Sequence, residues 1–247
     1  MKRRIIAMAA VSVTMVAALS ACSRDGEGAP RASDAAATSP WVQPPHVQTA
    51  RRDGAMILVQ GRAGPDARVV LRGADGAAVA VGADATGRFE LRVPAPPGDV
   101  RLTPEVQVGE DAAPSPETLV LIRGGVGPIV LVAAGEPTVR LDGQGVLDAV
   151  DSDGSAVIVS GRSKGAPPVV LIDGERAEVM RGPGGGWRAR SPGGGAATID
   201  VDGTRFAFPG LGAQSDFTPV RAGEGWRLTW PTGPSGRQTV WLPDRGA

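Results

Sequence analysis

Histidine and cysteine each occur once in this chain, as His46 and Cys22, and tyrosine does not occur at all. A Ser-His-Asp triad needs an imidazole held between a hydroxyl and a carboxylate, and a structural zinc site needs three or four thiolate or imidazole ligands. His46 lies in a proline-rich segment and Cys22 sits at the end of an apolar leader, so neither constellation can be assembled from the folded part. Carboxylates are the acid/base groups left. Several of them, in Asp153-Gly154, Asp173-Gly174 and Asp202-Gly203, read as turn signals, because Asp before Gly bonds its own backbone and tolerates tight turns. No catalytic residue, no metal ligand and no cofactor are expected. A basic block is also missing: without the leader residues Lys2, Arg3 and Arg4, 23 basic side chains face 26 acidic ones, which leaves no electrostatic footprint for nucleic acid.

Glycine and proline, by contrast, are abundant, with 36 and 22 copies among 247 residues. The apolar 42% is mainly Val, Ala, Leu and Ile in short runs. Dense turn residues between short aliphatic runs read as an all-β fold. A repeat sharpens this reading. Residues 53–71 and 153–171 align without a gap at an offset of 100, and 8 of 19 positions are identical: Asp53/Asp153, Gly54/Gly154, Val59/Val159, Gly61/Gly161, Arg62/Arg162, Val69/Val169, Val70/Val170 and Leu71/Leu171. Chance would give about one or two matches, so the chain carries an internal duplication with a period near 100 residues. Two β-sandwich units follow, over 53–147 and 148–247.

Residues 1–21 have the layout of a secretory signal peptide, with a basic start, an apolar stretch from Ile5 to Leu19 that is short for a membrane span, and small residues before Cys22. Leu19-Ser20-Ala21-Cys22 resembles the lipobox of bacterial lipoproteins. The resemblance implies cleavage before Cys22, a diacylglycerol thioether on its sulfur and acylation of the new amino group. Each buried acyl methylene is worth roughly 0.8 kcal/mol, so two or three chains hold a protein on a bilayer almost permanently. Ser23, rather than Asp, follows the cysteine, which in similar lipoproteins favours the outer membrane over the inner one. Residues 22–52 mix Ala, Ser, Pro, Gly, Arg and Asp without alternation, and read as a tether with a reach of roughly 30 Å.

In the first unit, strands are expected at Met56 to Val59, Val69 to Leu71, Ala78 to Val81 and Phe89 to Val93. One or two more should lie between Val100 and Val108, interrupted at Pro104. Gly61-Arg62-Ala63, Val69-Val70-Leu71 and Ala83-Asp84-Ala85-Thr86-Gly87-Arg88-Phe89 together resemble the repeated Ig-like domains of bacterial envelope and surface proteins. The turn here reads Gly64-Pro65, the reverse of the family order. The resemblance covers about 50 residues and implies a sandwich that serves as spacer, adhesin or binding unit. Asp84 could help to hold Ca²⁺ at a domain junction, but an Asp before a turn more often bonds its own backbone. Thr118 to Ile122, Gly124-Gly125 and Ile129 to Val132 form an apolar hairpin. No low-complexity linker separates the units, so they are expected to pack together or share a rigid junction.

The second unit repeats the first two strands, and Gly186-Trp187 stands where Gly87-Arg88-Phe89 stood, two residues having been lost. The closing strands carry Ile199, Val201, Phe206 and Phe208 around an Asp202-Gly203 turn. Its last hairpin, Glu224 to Trp241, corresponds in layout to the Glu117 to Leu131 hairpin, so each copy would end alike. Trp226, Leu228 and Trp230 share one strand face, with Trp241 expected opposite Trp226 and Arg237 opposite Trp230. That places an indole row about 13 Å long on one face. It would either fill the inner face of the sandwich, where large aromatics commonly go, or stack on sugar rings as a binding platform. The sequence thus points to a non-catalytic, lipid-anchored envelope protein acting as an interaction or structural module. The alternative is a glycan- or peptidoglycan-binding module built on Trp226, Trp230, Trp241 and Arg237.

Overall fold

The computed structural model describes residues 42–143, 145–212 and 216–245, which belong to one compact unit. The expected signal peptide, Cys22 and most of the expected tether lie outside the described residues. The described chain is all-β, and its named sheets are antiparallel throughout. The first half forms β1 (His46–Asp53), β2 (Met56–Arg62), β3 (Arg68–Gly73), β4 (Ala78–Gly82), β5 (Arg88–Pro94), β6 (Val100–Val108), β7 (Asp111–Pro114), β8 (Thr118–Leu121), β9 (Ile129–Ala133) and β10 (Glu136–Arg140). The second half forms β11 (Ala149–Ser152), β12 (Ala156–Arg162), β13 (Val170–Ile172), β14 (Glu175–Arg176), β15 (Val179–Arg181), β16 (Gly186–Pro192), β17 (Ala197–Val201), β18 (Thr204–Phe208), β19 (Val220–Arg221), β20 (Gly225–Pro231) and β21 (Arg237–Pro243).

These strands build four sheets. The order β1-β2-β5 faces β10-β9-β8-β6-β3-β4, with β7 beside β6, and the order β15-β16-β12-β11-β21-β20-β19 faces β14-β13-β17-β18. Alternation along each strand sends every second residue inward. Ile57, Val59, Leu71, Phe89, Leu119 and Leu131 thus meet in one core, and Val150, Val159, Val170, Trp187, Ile199, Phe208 and Trp241 in another.

The two aligned segments take similar ladders. Strand β2 pairs β5 with Met56 opposite Pro94 and Gly61 opposite Phe89; β12 pairs β16 with Ala156 opposite Pro192 and Gly161 opposite Trp187. In both copies the glycine lies beneath the ring. A Cβ on Gly61 would run into the His46 carbonyl and stand 2.6 Å from the Phe89 ring, and one on Gly161 would run into the Val146 carbonyl and stand 2.7 Å from the Trp187 ring. The glycine is needed because the aromatic ring and a carbonyl from the preceding segment take the space of a side chain.

Three expectations are corrected. Residues 46–52 are not tether but strand β1, with Val47 and Ala50 buried. A bulge at Gln48 turns both inward although they are three apart, which hides the alternation. Pro104 does not interrupt β6: it pairs across from Leu71, and its far side falls where β6 changes partner from β8 to β7. The missing N–H is therefore not required by either neighbour, and the Pro104 carbonyl still accepts from Ser115 N–H at 2.7 Å. The two terminal hairpins are also not equivalent. Strands β8 and β9 extend the sheet of β6, whereas β20 and β21 join the free edge of β11 in the opposite sheet.

That difference brings the halves together. Because β8 and β9 bury both faces, Leu119, Leu121, Ile129 and Leu131 fill the first core while Val120, Val130 and Val132 point out of it. These valines and Ile122 pack on Ala149, Leu228, Trp230, Val240 and Leu242 from the second half, forming a third core between the middle two sheets. The expected packing of the two units is thus a four-layer stack of sheets.

Candidate functional site

The register of the last hairpin places the tryptophans. Strands β20 and β21 pair with Trp226 opposite Leu242, Trp230 opposite Gln238 and Arg237 opposite Pro231, one residue away from the expected register. Because side chains alternate, one step moves Trp241 to the opposite face. It enters the second core, 1% exposed, where its ring centroid lies 6.1 Å from that of Phe208 and its indole N–H donates to the Ala222 carbonyl at 2.8 Å. Trp230, 2% exposed, is in the core between the sandwiches, and its indole nitrogen has no partner. Trp226 is half-buried at the rim of that core, with the Arg221 guanidinium 5.1 Å from its ring centre. Arg237 bonds Asp216. The four residues are not brought together as a surface row, because the hairpin uses its two faces for two different cores.

What the structure does gather is a polar seam where the second half covers the outer edge of β10. An edge strand presents unpaired N–H and C=O groups, and these must be satisfied when they are buried. Here side chains do it. Gln238 accepts from Gly135 N–H at 3.2 Å and donates to the Glu136 carbonyl at 2.7 Å. Asp151 accepts from Thr138 N–H at 3.0 Å, from the Thr138 hydroxyl at 2.7 Å and from Gln238 at 3.3 Å. The Arg162 guanidinium donates to the Arg140 carbonyl.

Charged groups continue the seam. Arg140, 3% exposed, pairs with Asp142 at 2.8 Å and donates to the Pro243 carbonyl at 2.6 Å. Asp148 receives Arg162 at 2.7 Å and Arg245 at 2.8 Å. A buried ion pair is a weak source of stability but a strict constraint on geometry, since removing one partner strands the other charge. Burial, with Arg140 nearby, lowers the Arg245 pKa. Burial pushes the Asp151 carboxyl up to about 6, against the pull of the Thr138 and Gln238 donors and the more distant Arg188. A recess of about 240 Å³ opens beside Asp151, lined also by Glu136, Asp153 and Arg190.

The seam was not legible as a site. Thr138 and Arg140 share one strand and Asp151 follows only 13 residues after Thr138, but the strands belong to different sheets and Gln238 joins them from 87 residues away, and Asp151 is one of many carboxylates. Its only local signal is an acid between Val150 and Ser152 in a strand that buries both faces. The turn carboxylates stand as read. Asp84 accepts from Arg88 N–H, Thr86 N–H and the Thr86 hydroxyl, which holds its carboxyl below the usual range. Asp153 is held low by the Ser155 hydroxyl and by the N–H groups of Ser155 and Ala156. Among the described residues no group of three His, Cys, Asp or Glu side chains is placed to hold a metal ion.

No protein-family model matches the chain, and no curated protein matches it.

Proposed function

We propose that this protein is a non-catalytic, lipid-anchored component of a bacterial cell envelope, in which a stack of two β-sandwiches serves as an interaction or structural module for another envelope protein. The observation that carries the reading is the position of the sole cysteine, in the lipobox register Leu19-Ser20-Ala21-Cys22 at the end of an apolar stretch. Ser23 favours the outer membrane, with the body facing the periplasm. The form of the body supports a mechanical or docking role. A shared apolar core and a hydrogen-bonded seam join the two sandwiches, so a load or a partner on one is felt by the other. Glycan binding by an indole row has less support, since Trp230 and Trp241 are buried.

Envelope fractionation of the full chain and of its Cys22→Ala variant tests the anchor. The wild type should stay with membranes through a high-salt wash and enter detergent, and the variant should wash free; a wild type released by salt would refute anchorage. Affinity capture from detergent-solubilised envelopes tests the module, and recovery of no protein partner would count against it.

A further inference from the structure

Sheet edges are where β-proteins join other chains, and this protein treats one of its edges differently from the rest. Strands β1, β5, β14, β15, β18 and β19 each carry at least one charged residue, β7 carries Asp111 and Pro114, and β10 is covered by the seam. Strand β4 has none of these. It reads Ala78-Val79-Ala80-Val81-Gly82, without charge or proline, and it ends the sheet order beyond β3. Its residues are exposed except Val81, which is half-buried.

The free hydrogen-bonding groups can be assigned. Gly73 N–H donates to the Ala77 carbonyl at 2.7 Å and Ala83 N–H to the Ala67 carbonyl at 2.8 Å. Between these two points β3 and β4 pair residue by residue, Leu71 with Val79 and Val69 with Val81. Hydrogen-bonded pairs alternate along an antiparallel ladder, so Ala77, Val79, Val81 and Ala83 turn their groups toward β3. Ala78, Ala80 and Gly82 turn theirs outward.

The edge is also self-complementary. The segment is nearly palindromic about Ala80, and Ala80 itself points outward. If two copies meet antiparallel about a two-fold axis at Ala80, Ala80 faces Ala80 as a hydrogen-bonded pair, and Ala78 faces Gly82 on either side. All six outward groups of each strand are then satisfied by the identical strand. Val79 faces Val81 on the side of the sheet that carries Val69 and Leu71, which adds aliphatic contacts at the rim of the first core. The opposite face carries only methyl groups and a hydrogen, and no like charges meet: Asp75 would face Ala85, and Asp84 would face Gly76.

We propose that β4 is a self-pairing edge that joins two copies of this chain through an antiparallel ladder centred on Ala80, extending the β3–β4 sheet across both. One five-residue edge falls below the roughly 1,200 Å² of a standard interface, so the association is weak and concentration-dependent. It does not depend on the lipid anchor.

The test uses the full chain with Cys22→Ala, so that acyl chains cannot cause association. Sedimentation should show a monomer–dimer equilibrium, and the amides of Ala78, Ala80 and Gly82 should exchange more slowly as concentration rises. Ala80→Pro removes an N–H that the monomer does not use and should abolish the dimer without lowering the melting temperature. Ala80→Lys, on an exposed face, places like charges across the axis and should weaken association at least tenfold. It serves as the second probe should the proline variant misfold. A chain that is monomeric up to millimolar concentration would overturn the proposal. So would a dimer that survives either substitution, or one that leaves exchange at these three amides unchanged.

Discussion

Asp151 is the residue on which the seam can be tested most directly. Its carboxyl is buried at the contact between β10 and β11 and pushed from 3.8 to about 6, mainly by loss of water. Between those values the folded chain holds a proton that the unfolded chain has released, so stability falls as pH rises. This contribution is fully present below 3.8 and is lost as pH climbs through about 6. At about 1.36 kcal/mol per pH unit, the interval amounts to about 3 kcal/mol. The protonated form keeps the seam intact, since the Thr138 hydroxyl can turn from donor to acceptor. Asp151→Asn removes the titration and can keep both Thr138 contacts, its Oδ1 accepting from Thr138 N–H and its Nδ2 donating to the Thr138 hydroxyl, while Gln238 loses an acceptor, at a cost of about 1–3 kcal/mol that does not vary with pH. Urea unfolding of wild type and Asp151→Asn from below 3.8 to above 6 isolates the effect, because the acids held low, such as Asp84 and Asp153, cancel in the difference. Wild type should lose up to about 3 kcal/mol relative to the variant across that window. A flat difference, or a wild type that gains on the variant with rising pH, would refute the assignment of a destabilised carboxylate to the seam.

The other predictions concern packing. Gly61→Ala and Gly161→Ala should each destabilise by about 3 kcal/mol or more, and by similar amounts, because both force a methyl into a carbonyl and an aromatic ring; denaturant titration showing either to be neutral would contradict the shared geometry. Trp230→Ala should cost about 3–5 kcal/mol by opening the core between the sandwiches, whereas Trp226→Ala, at the rim, should cost clearly less. Trp230→Phe should be milder than Trp241→Phe when melting temperatures are compared. Only the second removes an indole hydrogen bond, the one to Ala222, and leaves a buried carbonyl unpaired.

Much of the architecture is written in local chemistry. Turn residues such as Asp202-Gly203 and Asp153-Gly154 take backbone angles that few residues accept, so they mark strand ends wherever they occur. The pairing of Gly61 with Phe89, and of Gly161 with Trp187, is a steric match between two nearby segments, and it occurs in both halves. Nothing local states which distant strand a hairpin will join. Strands β8 and β9, almost wholly aliphatic, extend one sheet, while β20 and β21, which mix tryptophans with polar residues, close on β11 in the other. The five-residue connection between Pro231 and Arg237 admits two registers one step apart, and only packing against the valines of β8 and β9 selects the one that buries Trp230 and Trp241 in separate cores. The strands, their turns and the repeat were thus fixed by near neighbours along the chain. Burial of Asp151, covering of the β10 edge and exposure of the β4 edge were decided by contacts between residues up to about 100 positions apart, because burial belongs to the assembled layers and not to any one strand.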